Sequence, residues 1–189
     1  MKLLPVLSLL PSRLSHVWAR RCLAILACVT VSPATQAAAP AAPVCTGGEY
    51  RAFDFWVGDW DTFDPDQKNQ TTSIARNHVD LILDGCVLRE DYDRNDGLHG
   101  QSFTIYDAKR KVWHQSWVTN HGALLVLEGT QTGKRITLEG DSITPKGKQR
   151  TRVFWEPQGD GVRETATVSE DGGGTWKPLF DVVFRRHRG

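Results

Sequence analysis

Phe53-Asp54-Phe55-Trp56-Val57-Gly58-Asp59-Trp60 is the stretch in which the chain changes its period. Up to Val57 the large rings at Phe53 and Trp56 fall three apart, which suits one short helical turn that Gly58 stops. From Gly58 onward apolar and polar residues alternate, the pattern that sends successive side chains to opposite faces of a strand. Runs of this kind recur at 60–64, 72–83, 86–93, 100–106, 112–119, 123–129, 134–140, 149–156, 162–169 and 176–186. Turn-forming residues bound them, as in Asp84-Gly85, Asn95-Asp96-Gly97, Thr132-Gly133 and Pro157-Gln158-Gly159-Asp160-Gly161. No stretch beyond residue 58 is long and apolar-periodic enough for a substantial helix. The expected fold class is therefore all-β: an antiparallel up-and-down β-barrel of about 8–10 strands, preceded by a short N-terminal helical turn. Closing the sheet removes its exposed edges. A barrel of that size also has an interior wide enough for one small ligand.

Outside this region the 189-residue chain carries a different signal. Residues 1–37 hold Lys2, Arg13, Arg20 and Arg21 and no acidic residue, then an apolar run from Cys22 to Val31, then small residues. That is the layout of a signal peptide that is removed, and the apolar run is too short to span a bilayer. Residues 38–48 read as an Ala/Pro-rich linker and residues 49–189 as the barrel domain. The expected location is the periplasm or the medium. Loss of the leader leaves 19 basic residues against 22 acidic ones, a net charge of −3, and no electrostatic footprint for nucleic acid. Two cysteines remain, Cys45 and Cys86, an even pair expected to form a disulfide in an oxidising compartment. The alternatives, a metal pair or a reactive thiol, lack C-x-x-C spacing and a nearby histidine cluster.

Several motifs follow one another in a recognisable order: the opening FDFWVGDW, then ILDGCVLRE (residues 82–90), GQSFTIYD (100–107), VWHQSWVTNHG (112–122), TRVFWEP (151–157) and SEDGGGTW (169–176). Together they resemble an uncharacterised bacterial family of lipocalin-like, calycin-type proteins that open with FDFW-x-G-x-W. The resemblance covers residues 50–186 and implies a barrel with an internal cavity, without naming a ligand. In lipocalins the Gly-x-Trp tryptophan closes one end of the barrel beneath a basic side chain of the last strand. The resemblance gives these places to Gly58, Trp60 and Arg185 or Arg186, of which Arg185 is the expected one, with Phe53 and Trp56 capping the same end. It departs from the haem-binding relatives, because Asp61-Thr62-Phe63 follows Trp60 where they continue with glycines. The last motif matches S-x-D-x-G-x-T-W, an Asp-box, in which Asp171 binds turn amides and Trp176 packs beneath. One copy cannot build a propeller, so it is read as a hairpin lock.

Alternation along 112–118 places Trp113, Gln115 and Trp117 on one face, aromatic walls around a single amide. Either they line a ligand cavity or they fill the core. Leu88, Glu90 and Tyr92 share one face of an earlier strand, and Arg150, Arg152 and Phe154 one face of a later strand. Glu90 and Arg152 either pair inside the barrel, where an isolated charge is costly, or form a cross-strand pair outside. The candidate ligand-binding set is Glu90, Trp113, Gln115, Trp117 and Arg152. No catalytic residue, metal ligand or cofactor is assigned: His78, His99, His114, His121 and His187 are scattered, and no phosphate loop or nucleophile elbow occurs.

The leading expectation is an exported barrel that binds a small apolar or amphipathic molecule in its interior. One alternative is a barrel enzyme of isomerase, cyclase or decarboxylase type using Glu90 with Arg152. The other is an envelope structural or interaction protein with a filled core. Expected partners are a small hydrophobic or amphipathic ligand, no nucleic acid, and no stable membrane span in the mature protein. Nothing in the sequence fixes the oligomeric state.

Overall fold

The structure is a computed structural model that describes residues 44–66 and 72–189. The expected signal segment 1–37 and most of the linker lie outside the described residues.

The period change at Gly58 is a change of structure. Before it, Gly48–Arg51 and Asp54–Trp56 form two 3-10 turns, where the sequence suggested one. Beyond it come ten strands: β1 (Gly58–Phe63), β2 (Ala75–Ile82), β3 (Val87–Arg94), β4 (His99–Asp107), β5 (Val112–Thr119), β6 (Leu124–Thr132), β7 (Arg135–Thr144), β8 (Gly147–Gln158), β9 (Gly161–Ser169) and β10 (Lys177–Arg186). Each pairs antiparallel with its neighbours in the chain, and β1 closes on β10. The fold is a ten-strand up-and-down barrel, as the alternation predicts.

One face of every strand looks into the lumen. On β8 the buried Thr151, Val153 and Trp155 alternate with the more exposed Arg150, Arg152 and Phe154. The outer face carries cross-strand ion pairs such as Arg89–Asp80, Arg150–Asp141 and Arg135–Glu156, each of which contributes at most about 1 kcal/mol at the surface.

Aromatic rings fill one end. Phe53, carried in by the segment before β1, lies 5.0 Å from Trp113 and 5.5 Å from Trp155, edge-on to both. Trp56 packs against Trp155 and Phe184, and the Trp60 indole donates to the Trp56 carbonyl at 2.8 Å. Burying rings of this size contributes about 2–3 kcal/mol each, before the extra few tenths to one from edge-to-face geometry. Two tethers hold the inserted segment: the Cys45–Cys86 disulfide to the β2–β3 turn, and the Arg51 guanidinium donating to the Gly85 carbonyl in that turn.

Arg186 seals this end from below. Its guanidinium stacks 3.9 Å from the Trp60 ring and donates to the Val57 carbonyl at 2.9 Å. Gly58 makes room for it: a Cβ there would sit 1.7 Å from Nη1, and the backbone is at φ +146°. The expectation of Arg185 is corrected here. Trp60 pairs with Arg186 in the β1–β10 register, so alternation turns Arg185 to the outside, where it lies 4.9 Å from the Phe63 ring.

Candidate functional site

The end opposite the aromatic plug is open. A cavity of about 540 Å³ occupies it, bounded by β3, β5, β6, β8, β9 and β10 and by the first residues after β1. Leu125, Leu127, Val153 and Val182 give it apolar walls; Trp117, Tyr92 and Phe180 supply aromatic ones. Tyr92 and Trp117 meet edge to face at 6.0 Å. Gly100 lets the Trp117 indole lie flat against the wall, since a Cβ at that position would fall 2.2 Å from the ring. A cavity of this size suits a compact small molecule.

Polar groups enter the lumen in a band between plug and mouth. Glu90 on β3 is only 6 % exposed. It accepts from the Ser102 hydroxyl at 2.8 Å and from the Asn77 amide at 3.0 Å. Donors thus reach the carboxyl from β2 and β4, while Gln115 on β5 donates to Thr104 Oγ1 at 3.1 Å and at longer range, 3.5 Å, to Ser102 Oγ. Burial still dominates. It pushes Glu90 up to about 7, against the two hydrogen bonds that favour ionisation.

A second carboxyl shares the cavity. Glu164 on β9 stands directly opposite Trp155 in the β8–β9 register and lines the lumen with Glu90. Burial raises its pKa well above the ordinary value, and the nearby Glu90 charge raises it further; the Trp155 indole offsets this in part. Burial, again helped by Glu164, pushes the Tyr92 hydroxyl up to about 12. Two carboxyls in a confined space cannot both ionise cheaply, so near neutral pH the pair retains a proton.

The residues singled out in the sequence separate under this geometry. Glu90, Gln115 and Trp117 line the cavity. Trp113 does not. It shares their face of β5 but lies at the plugged end, 2 % exposed, packed on Phe53 and on Tyr106 at 5.6 Å. Arg152 is outside the barrel, paired with Glu139 at 2.5 Å and stacked 4.0 Å from the Trp176 ring. The inward Glu90–Arg152 pair is therefore corrected: alternation on β8 points Val153 into the lumen and its neighbour away. Glu164 was missed, although Val162, Glu164 and Ala166 alternate on β9 and the lone acid among apolar residues was the available signal.

The Asp-box closes the β9–β10 hairpin. Ser169 donates to Asp171 Oδ1 at 2.7 Å, and Asp171 accepts from the Thr175 amide at 2.9 Å and its hydroxyl at 2.7 Å. The Trp176 indole donates to the Gly173 carbonyl at 3.1 Å. None of these residues lines the cavity. Among the described residues no three His, Cys, Asp or Glu side chains gather as a metal site would require.

The family model described as "Protein of unknown function (DUF1579)" matches residues 47–186, and the chain belongs to that family. No curated protein matches the chain.

Proposed function

We propose that this protein is an exported, lipocalin-type carrier that holds a small apolar or amphipathic molecule in the open half of its barrel. The observation that carries the reading is the lumen's division. Tightly packed rings fill one end, while about 540 Å³ with apolar walls and a few polar groups is left at the other. A core built only for stability gains by filling such space, since cavities cost stability roughly in proportion to their volume. Export rests on the leader-like layout of residues 1–37 and on the Cys45–Cys86 disulfide, a bond that persists in oxidising compartments. The lipocalin-type assignment is supported by the Gly58-x-Trp60 closure beneath Arg186. Titration with the neutral probe N-phenyl-1-naphthylamine tests it. Wild type should enhance the probe's fluorescence at micromolar concentrations, and Leu127→Trp, which plugs the lumen, should weaken this at least tenfold. No enhancement by a folded wild type would end the carrier reading.

One observation favours a second reading, acid–base catalysis: a carboxyl held near 7 inside a cavity is in the range general bases need. With Arg152 outside, such an enzyme would rely on Glu90 and Glu164. Hydrogen–deuterium exchange at the α-carbon of cyclohexanone, followed by NMR, checks it. Equal rates for wild type and Glu90→Gln would remove it.

A further inference from the structure

The charges facing the cavity are one-sided. Among the described residues, Asp64, Asp66, Glu90, Glu164 and Asp181 contribute to its lining, against Arg94 as the one basic residue. Arg94 is held at the rim by both oxygens of Asp96, at 2.7 Å each. Asp181 is likewise taken up by Arg163. What remains deep in the lumen is Glu90 and Glu164, and among the described residues neither has a cationic partner. Glu90 has hydrogen-bond donors only. Trp155, 1 % exposed, is opposite Glu164 across the β8–β9 pair, and its buried indole N–H has no hydrogen-bond partner among the described residues.

Two carboxyls deep in a closed barrel are an expense for folding, since a buried charge needs a counter-charge or must be neutralised. In the empty protein the retained proton neutralises one of them. A cationic ligand would do so better, because it brings opposite charge and hydrogen-bond donors into a low-dielectric site. The aromatic faces of Tyr92, Trp117 and Phe180 nearer the mouth stabilise a cation as it passes and pack on an apolar body. An anionic head, such as a fatty acid's carboxylate, meets like charge there and is disfavoured.

We infer that the lumen takes a protonated amine, its cationic head seated on Glu164 and Glu90 and its aromatic or aliphatic body reaching toward the mouth past Trp117. This rests on the carrier function proposed above and specifies its ligand class. Seating the ammonium group expels the proton that the carboxyl pair retains, and that proton passes to solvent. The groups facing the pair are Tyr92 and Arg94 from β3, Asp64 and Asp66 after β1, Asp181 on β10, and the uncharged Asn77, Ser102 and Gln115. Among the described residues the lining contains no histidine or lysine.

The test compares three heads on two bodies: 2-phenylethylamine, 2-phenylethanol and phenylacetate, and n-octylamine, n-octanol and octanoate. Binding is followed by calorimetry at pH 7.5. For at least one body the amine should bind at least tenfold more tightly than the alcohol, and the acid more weakly than either. In two buffers of different ionisation enthalpy, amine binding to the wild-type protein should release close to one proton, and amine affinity should rise from pH 6 to pH 8. Glu164→Gln should erase the amine's advantage over the alcohol. The wild-type proton release decides the matter if that variant fails to fold. An alcohol that binds as tightly as its amine, or amine binding without proton release, overturns the amine assignment and leaves the carrier function standing. If no member of either series binds, the amine assignment falls; the neutral probe then decides the carrier reading by itself.

Discussion

Acidification should stabilise this protein until the carboxyls in its lumen are fully protonated, and Glu90→Gln should remove much of that response. Glu90 titrates at about 7 in the fold and at an ordinary 4.5 in the unfolded chain, because burial outweighs the donors from Ser102 and Asn77. A raised folded-state pKa means that the native state binds the proton more tightly. The resulting stability is complete below pH 4.5 and lost as the pH rises through 7. The gap corresponds to about 3 kcal/mol. Glu164 shifts in the same direction and adds to it. The exposed carboxylates act in a separate window: Glu128, held at about 2 by Arg110 and His114, withdraws its stabilisation only as the pH falls below 4.5. The optimum should therefore lie near pH 5. In Glu90→Gln the amide keeps the carboxyl's shape, and its N–H can turn to Asn77 Oδ1, an acceptor with no partner among the described residues. Urea unfolding followed by far-ultraviolet circular dichroism at pH 5, 6, 7 and 8 measures the effect. Wild type should lose about 3 kcal/mol or more across this range; Glu90→Gln should lose clearly less, and Glu90→Gln/Glu164→Gln almost nothing. A wild type as stable at pH 8 as at pH 5, or a double variant with the same slope, would refute the buried-carboxyl reading.

Other expectations follow from the closed end and the hairpin. Gly58→Ala should lower the thermal midpoint sharply, because its Cβ meets Arg186 at 1.7 Å in a backbone conformation that side chains rarely adopt; Arg186→Ala should be milder, losing a cation–π contact of about 1–2 kcal/mol. Reduction of Cys45–Cys86, which are 41 residues apart, should destabilise the fold by about 4 kcal/mol in the chain-entropy model, measured as the shift in urea midpoint with and without reductant. Asp171→Ala should speed amide hydrogen exchange at the β9–β10 turn, where Thr175 loses its acceptor, without changing affinity for the neutral probe. Arg152→Ala should likewise leave probe binding unchanged, since the side chain lies outside the barrel.

The barrel was legible because alternation is a local signal: a strand with one face in a lumen and one in water writes its period into every second residue. The same property explains what went wrong. Alternation assigns residues to faces but does not say which face is inner, so Glu90 and Arg152 carried equal claims until β8 was seen to bury Thr151, Val153 and Trp155. Nor does it give height along the barrel axis. Trp113 and Trp117 share a face, yet four residues of strand rise, about 13 Å, put one in the plug and the other beside the mouth. Arg185 and Arg186 differ by one residue and hence by a whole face. Glu164 escaped notice because its partner in the site lies across the lumen, a proximity created by barrel closure and absent from any local pattern.

The two halves of the lumen follow opposite rules. At the plugged end every large group has an apolar neighbour, and rings are added from outside the sheet by the segment that Cys45 and Arg51 anchor. That end supplies stability and leaves nothing for a ligand. Immediately beyond it, beginning at the Trp155–Glu164 pair of β8 and β9, the same barrel places two carboxyls where leucines would pack. Replacing buried ionisable groups by apolar ones of similar volume is often neutral or stabilising, so Glu90 and Glu164 weaken the fold at neutral pH. The disulfide and the aromatic plug hold a barrel that tolerates that weakness. Glu90 is also supplied with donors from two neighbouring strands, Asn77 on β2 and Ser102 on β4, which a carboxyl kept only as a neutral filler does not need. Strain tolerated in the open half and offset in the closed half is the distribution expected when the open half is reserved for a guest that the carboxyls help to hold.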